Sequence, residues 1–359
     1  MTTDTPTPSP TLNDEATPKL STLDRLLPVW IGSAMVGGIL LGRLIPDLND
    51  TLDKVKVDTV SLPIAIGLLA MMYPVLAKVR YRGISAELGD RRTMGLSLVL
   101  NWVVGPALMF TLAWVFLGDL PELRTGLIIV GLARCIAMVL IWNDLACGNS
   151  ELGAVLVAVN SVFQIVMYTV LGWFYLDLLP GWLGLETQSL DVGMWPIAKS
   201  VLIFLGIPLV AGFLTRTILE AGKGTDWYEH SFLPRIGPIA LYGLLFTIVV
   251  LFSLQGDQIL DRPLDVARVA VPLLIYFTLM WFGSFGAGYR LGLPYDRNTS
   301  VAFTAAGNNF ELGIAVAIAV FGVTSGQALA GMIGPLIEVP VLVGLVYVAL
   351  WAKRRWYGG

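Results

Sequence analysis

Ten stretches of largely apolar residues follow one another along this chain, near 26–45, 60–78, 94–117, 123–146, 152–178, 196–218, 233–254, 268–290, 298–322 and 327–352. A helix that crosses a lipid bilayer needs about twenty such residues, so each stretch is predicted to span the membrane once. The rest of the chain agrees. It is 56% hydrophobic and 14% charged, with a mean hydropathy of +0.75. Soluble domains carry roughly 25% charged residues, so most of this surface is not built for water. The expected fold is an all-α membrane protein of ten transmembrane helices. A net charge of −3 gives no reason to expect a nucleic-acid partner. The two cysteines, Cys135 and Cys147, are too few for a disulfide scaffold, and the single histidine, His230, excludes a histidine-rich metal site. Residues 1–20, rich in Thr, Pro, Ser and acids, are expected to form a disordered cytoplasmic tail, leaving the first apolar span as an uncleaved insertion signal.

Loop charge predicts the orientation. With both termini inside, fifteen of the 23 basic residues fall on the cytoplasmic side and seven on the other, and Arg134 lies within a span. The positive-inside rule therefore favours cytoplasmic N- and C-termini. The run Lys78, Arg80, Arg82, Arg91 and Arg92 is the strongest anchor.

An internal similarity divides the chain. Pro63-Ile64-Ala65-Ile66-Gly67-Leu68-Leu69 resembles the segment from Pro238 to Leu245, and Gly37-Gly38 and Arg43 precede the first much as Ala211-Gly212 and Arg216 precede the second. The offset is close to 174 residues, or five spans. An odd number of spans inverts the second half, so two five-helix repeats are expected at 24–180 and 193–355. Inverted repeats are a carrier architecture, with the solute site near the midplane where discontinuous helices meet.

Ionisable residues stand well inside only three spans: Arg134 in the fourth, Glu311 in the ninth and Glu338 in the tenth. A charge in hydrocarbon is costly, which marks these as candidates for function; the competing reading is an ion pair that only locks helices. The fourth span reads Gly131-Leu132-Ala133-Arg134-Cys135-Ile136-Ala137-Met138 and the ninth Gly307-Asn308-Asn309-Phe310-Glu311. Glycine beside polar residues predicts a break in each helix, which frees backbone groups to meet a solute. Asn160 and Gln164 share one face of the fifth span. Pro335 and Pro340 around Glu338 predict a kinked tenth helix. Cys135 beside the cation Arg134 favours a thiolate, a soft ligand. Cys147 reads as incidental.

These residues carry a resemblance. Gly131-Leu-Ala-Arg-Cys-Ile-Ala-Met, Trp142-Asn-Asp144, Asn308-Asn-Phe-Glu311 and Gly334-Pro-Leu-Ile-Glu338-Val-Pro340 resemble the arsenical-resistance-3 family of arsenite permeases, in the bile acid/arsenite/riboflavin transporter superfamily. The resemblance covers residue 24 to the C-terminus. It implies that spans four and nine are broken and cross near the substrate. It also implies efflux of trivalent arsenic, As(OH)3, and of antimonite in exchange for protons across the inner (plasma) membrane. Under it Cys135 is the arsenic ligand and Glu311 the essential acid. Read from the chemistry of the residues themselves, Asn160, Gln164, Asn308 and Asn309 are expected to complete the substrate site, and Arg134 and Glu338 to join Glu311 in proton coupling, with Arg134 either supporting the thiolate or pairing with Glu311 between events. No cofactor is implied, and a separate ATPase subunit or self-association stays open. The rival reading is a sodium-coupled organic-anion symporter of the bile-acid type, in which the Arg-Cys pair has no role. An enzyme is disfavoured, since no His-Glu-x-x-His, Gly-x-Ser-x-Gly or Walker loop occurs.

Overall fold

The computed structural model describes residues 27–45, 56–57, 60–79, 90–136, 138–185, 194–261 and 263–358. The expected 1–20 tail and the basic residues Arg80 and Arg82 lie outside them. Apart from one short antiparallel pair, β1 (Lys56–Val57) with β2 (Val60–Ser61), the regular structure there is helical. The helices are α1 (Leu27–Leu44), α2 (Leu62–Ala77), α3 (Arg91–Val99), α4 (Gly105–Leu117), α5 (Pro121–Leu132), α6 (Met138–Leu145), α7 (Ser150–Trp173) and α8 (Leu179–Trp182). They continue with α9 (Met194–Val201), α10 (Ile207–Lys223), α11 (Thr225–Trp227), α12 (Leu233–Asp261), α13 (Pro263–Arg290), α14 (Tyr295–Ala306), α15 (Phe310–Phe321) and α16 (Gly326–Trp356).

Four pairs of these run on through a π-helical turn, and proline explains where. The turns are Leu100–Val104, Phe174–Leu178, Leu202–Gly206 and Tyr228–Phe232, and Pro106, Pro180, Pro208 and Pro234 each stand two residues beyond one of them. Proline has no N–H and its ring crowds the carbonyl four residues back; widening the register by one residue relieves both. With these joints included, six helical segments are long and apolar enough to cross a membrane: Arg91–Leu117, Ser150–Trp182, Met194–Lys223, Thr225–Leu254, Pro263–Arg290 and Gly326–Trp356. Shorter apolar helices cover Val29–Leu44, Leu62–Ala77 and Phe310–Phe321. The expected fourth and ninth spans are each divided, α5 from α6 and α14 from α15, so neither forms one long helix. The tenth remains a single 31-residue helix through Pro335 and Pro340.

The helices are apolar outside as well as inside. Val103, Val115, Val166, Leu202, Ile207 and Val210 are exposed on them, while the core is built of residues such as Leu68, Leu127, Phe277 and Val301. That all-round pattern is how a helix facing lipid on one side and protein on the other must read. In one group α12 packs on α1 and α2, and α10 on α2. Here glycine is needed for contact: a methyl at Gly38 would stand 2.6 Å from the Val249 carbonyl oxygen, so only a bare backbone lets α1 and α12 approach this closely. The second group joins α5 to α4, α15 and α16, and α13 to α4, α14 and α16. The candidate site residues lie in or beside this second group, with Asn160 and Gln164 on α7, which packs on α14.

Candidate functional site

A helix broken inside a bilayer leaves N–H and C=O groups without partners, each costing several kcal/mol in hydrocarbon. The structure meets this cost by putting two breaks against each other. Between α5 and α6, and between α14 and α15, the extended residues Arg134 and Asn308 form an isolated antiparallel bridge. Cys135 N–H donates to the Gly307 carbonyl at 3.3 Å, and Asn309 N–H donates to the Ala133 carbonyl at 3.1 Å.

Side chains complete the pairing. Arg134 N–H donates to Gln164 Oε1 at 2.7 Å, and Asn308 N–H to Glu338 Oε1 at 3.1 Å. The carbonyls left open at the end of α5 are taken as well: Asn308 Nδ2 donates to Val130 at 2.8 Å, and the Arg134 guanidinium donates to Gly131. Asn309 uses its side-chain oxygen to cap α15, accepting from Leu312 N–H at 3.0 Å.

Arg134 is fully buried, at 0% exposure. Its Nη1 donates to Tyr276 Oη on α13 at 2.9 Å, and Gly105 is bare where a side chain would meet the same nitrogen. No carboxylate pairs with it among the described residues. A pair with Glu311 is therefore absent among the described residues. Cys135 is buried, outside any disulfide, and packed on Gly307. A methyl at Gly307 would lie 3.0 Å from Cys135 Cβ and 3.4 Å from Glu338 Oε1, so thiol and carboxylate flank the same glycine. Glu311 differs from the rest. It is half-buried in the first turn of α15, accepts no hydrogen bond from another of the described residues, and is close enough to Glu338 for their charges to interact.

Hydrogen bonds thus join Arg134, Cys135, Gln164, Asn308, Asn309 and Glu338 into one crossing, with Glu311 at its edge. Asn160 is one turn from Gln164, and its Oδ1 accepts from Trp102 Nε1 at 3.2 Å. Several buried polar atoms around the crossing keep no protein partner: Arg134 Nε, Asn160 Nδ2, Gln164 Nε2, Asn308 Oδ1 and Asn309 Nδ2. Unsatisfied groups this deep are costly to the protein alone and would be satisfied by a small hydroxylated solute. Trp102 and Tyr276 were not among the expected site residues. They stand 174 residues apart, the internal offset, and that spacing was the signal that could have found them. Among the described residues, no three His, Cys, Asp or Glu side chains gather to hold a metal ion.

Residues 65–262 match the Sodium Bile acid symporter family. The chain is 61% identical to the arsenical-resistance protein Acr3 of Corynebacterium glutamicum, over 93% of this chain and 90% of that relative. It is 37% identical to an uncharacterized transporter of Synechocystis, over 93% and 91%. It is 32% identical to the arsenical-resistance protein Acr3 of Alkaliphilus metalliredigens, over 93% and 94%.

Proposed function

This chain belongs to the Acr3 arsenical-resistance family of the bile acid/arsenite transporter superfamily, and from that premise we propose that it exports trivalent arsenic, with antimonite as a second substrate, in exchange for protons. It is a membrane transporter and not an enzyme. The observation that carries the substrate reading is a buried thiol at a crossing rich in unpartnered amide groups.

As(OH)3 is soft at arsenic and polar at its three hydroxyls. One thiolate from Cys135 supplies the soft contact. Three thiolates would hold the arsenic too tightly for turnover, whereas one thiolate with oxygen and amide contacts from Asn160, Gln164, Asn308 and Asn309 both selects and releases. As(OH)3 carries no charge near neutral pH, so membrane voltage alone does not expel it. Inward proton flow supplies the force, and Glu311, half-buried at the edge of the crossing and without a partner among the described residues, is the proton site. Arg134, the residue before the thiol, holds this break through its bonds to Tyr276 and Gly131. Proton and arsenite occupy the crossing in turn.

The architecture we propose is ten spans in two inverted five-helix repeats, with cytoplasmic termini and the plasma membrane as location. Three observations support it. Arg134 and Asn308, Gln164 and Glu338, and Trp102 and Tyr276 are each 174 residues apart. The two breaks fall at matching places in the offset halves. Each break is closed by a side-chain oxygen thirty residues further on. The deciding experiment is arsenite flux in proteoliposomes of the purified chain. An imposed pH gradient is expected to drive uptake and a sodium gradient to do nothing. Sodium-driven flux that ignores pH would select the organic-anion symporter instead.

A further inference from the structure

Gln164 and Glu338 do the same thing in the two halves of the molecule. Each uses one side-chain oxygen to accept the amide N–H of the bridge residue thirty positions earlier, Arg134 at 2.7 Å and Asn308 at 3.1 Å. Both side chains are almost wholly buried, and both sit on the long helix that follows the broken one, α7 and α16. The two amides need this. Arg134 and Asn308 sit at the centre of the bridge, while the bonds between the breaks use the amides of Cys135 and Asn309. Without a side-chain acceptor, each central amide would be buried in the membrane with nothing to bond.

One of the pair is a carboxylate and the other a carboxamide, yet they hold equivalent amides. The property they share is an oxygen acceptor, not a charge. A protonated carboxyl group keeps its carbonyl oxygen, so the bond to Asn308 does not require an ionised Glu338. We propose that Gln164 and Glu338 are matched positioning residues that clamp the two helix breaks, and that Glu338 is not the exchanged-proton site. This reassigns Glu338 from the coupling role that its mid-span charge suggested, and leaves Glu311 as the carboxyl in that role. The clamp stands on the hydrogen bonds. Only its flux readout rests on the transport function proposed above.

Two measurements on the full-length chain test this. The first is hydrogen–deuterium exchange of peptides covering 133–136 and 306–310. Glu338→Gln keeps the acceptor and is expected to leave exchange at 306–310 at the wild-type rate. Glu338→Leu removes it and is expected to speed exchange there about tenfold, because a buried donor loses its partner. Gln164→Leu is expected to do the same at 133–136, which keeps the test open if Glu338→Leu does not fold. The second measurement is arsenite uptake driven by a pH gradient. Glu338→Gln is expected to retain it within about twofold, with an unchanged pH profile, since the acceptor geometry survives. The proposal is overturned if Glu338→Gln loses gradient-driven uptake while still exchanging arsenite for arsenite, because the carboxyl proton is then essential. It is overturned equally if the leucine variants leave exchange unchanged. A wild-type chain that moves no arsenite would remove the transport reading, and the exchange data would still decide the clamp.

Discussion

Arg134 and Asn308 meet main chain to main chain, each at the break of a different helix. The bridge lets the two interrupted helices satisfy each other's backbone groups. Cys135–Gly307 and Asn309–Ala133 bond across it, and side chains absorb the remainder. The outcome is a short extended segment in apolar surroundings that holds a thiol and unpartnered amide nitrogens in fixed positions. Two half-helices, α6 and α15, begin just beyond it.

Cys135→Ser replaces a soft ligand by a hard one of similar size. Packing on Gly307 is preserved, so the variant is expected to fold and to melt within a few degrees of wild type. Arsenite flux in vesicles is expected to fall at least about tenfold, the loss of ~1.4 kcal/mol of selective binding. Flux at the wild-type rate would remove Cys135 from the substrate site.

Glu311→Gln tests the proton site by separating two kinds of flux. Uptake driven by a pH gradient is expected to vanish. Exchange of labelled for unlabelled arsenite across the membrane needs no net proton movement and is expected to persist. If both survive together, Glu311 does not couple.

Gly307→Ala tests the close approach at the crossing. Gly307 lies at φ −73° and ψ 143°, a conformation open to any residue, so backbone strain plays no part. The added methyl would face Cys135 Cβ at 3.0 Å and Glu338 Oε1 at 3.4 Å. Overpacking of this kind costs about 1–3 kcal/mol. The expected result is a lower melting temperature together with reduced arsenite affinity. An unchanged melt would mean that the breaks relax freely.

Tyr276→Phe removes one acceptor from the buried Arg134 guanidinium and changes little else. A hydrogen bond to a charged donor is worth about 1.5–3 kcal/mol, and among the described residues the cation has no carboxylate to fall back on. Stability is expected to drop by that order in thermal denaturation. A variant as stable as wild type would show that Gly131 alone satisfies the guanidinium.

Much of this crossing could be read from the residues alone. Glycine beside polar residues in the middle of apolar stretches predicted the breaks, because irregular backbone at that depth stands only where protein or a polar cavity meets it. The intramembrane Arg134, Glu311 and Glu338 marked the neighbourhood, because lipid penalises charge. Partners were not legible. Side-chain oxygens of Gln164 and Glu338 seek amide N–H groups thirty residues away, a relationship that no local period encodes. Tyr276 and Trp102 carry no signal of their own, since one hydroxyl or indole N–H leaves no trace in a hydropathy pattern. The π-helical turns were equally hidden, although each has a proline two residues beyond it once its position is known.

Outside the apolar spans, Asp90 offers a pH test with a definite sign. It caps α3, accepting from Thr93 N–H at 3.2 Å and Thr93 Oγ1–H at 2.7 Å, and pairs with Arg297 of α14 at 2.9 Å. The Thr93 hydroxyl is the chief reason that its carboxyl lies below the ordinary 3.8; partial burial opposes the shift, and Arg297 adds to it. A carboxyl depressed in the folded state contributes stability that is present above its unfolded value and is lost as pH falls through the folded one. The contribution is therefore complete above about pH 4 and fades below it. With 35% of the Asp90 side chain exposed, water screens the Arg297 pair, and the cap carries most of the effect. Asp90→Ala is expected to cost about 1 kcal/mol at neutral pH, the ordinary value of an N-cap. Asp90→Asn keeps the acceptor but cannot titrate, so it is expected to retain most of that stability and to lose the local acid dependence. Thermal melts of the three proteins between pH 3 and 7 decide the matter. If Asp90→Asn is as unstable as Asp90→Ala at pH 7, the charge and its pair with Arg297 carry the contact, and the cap does not.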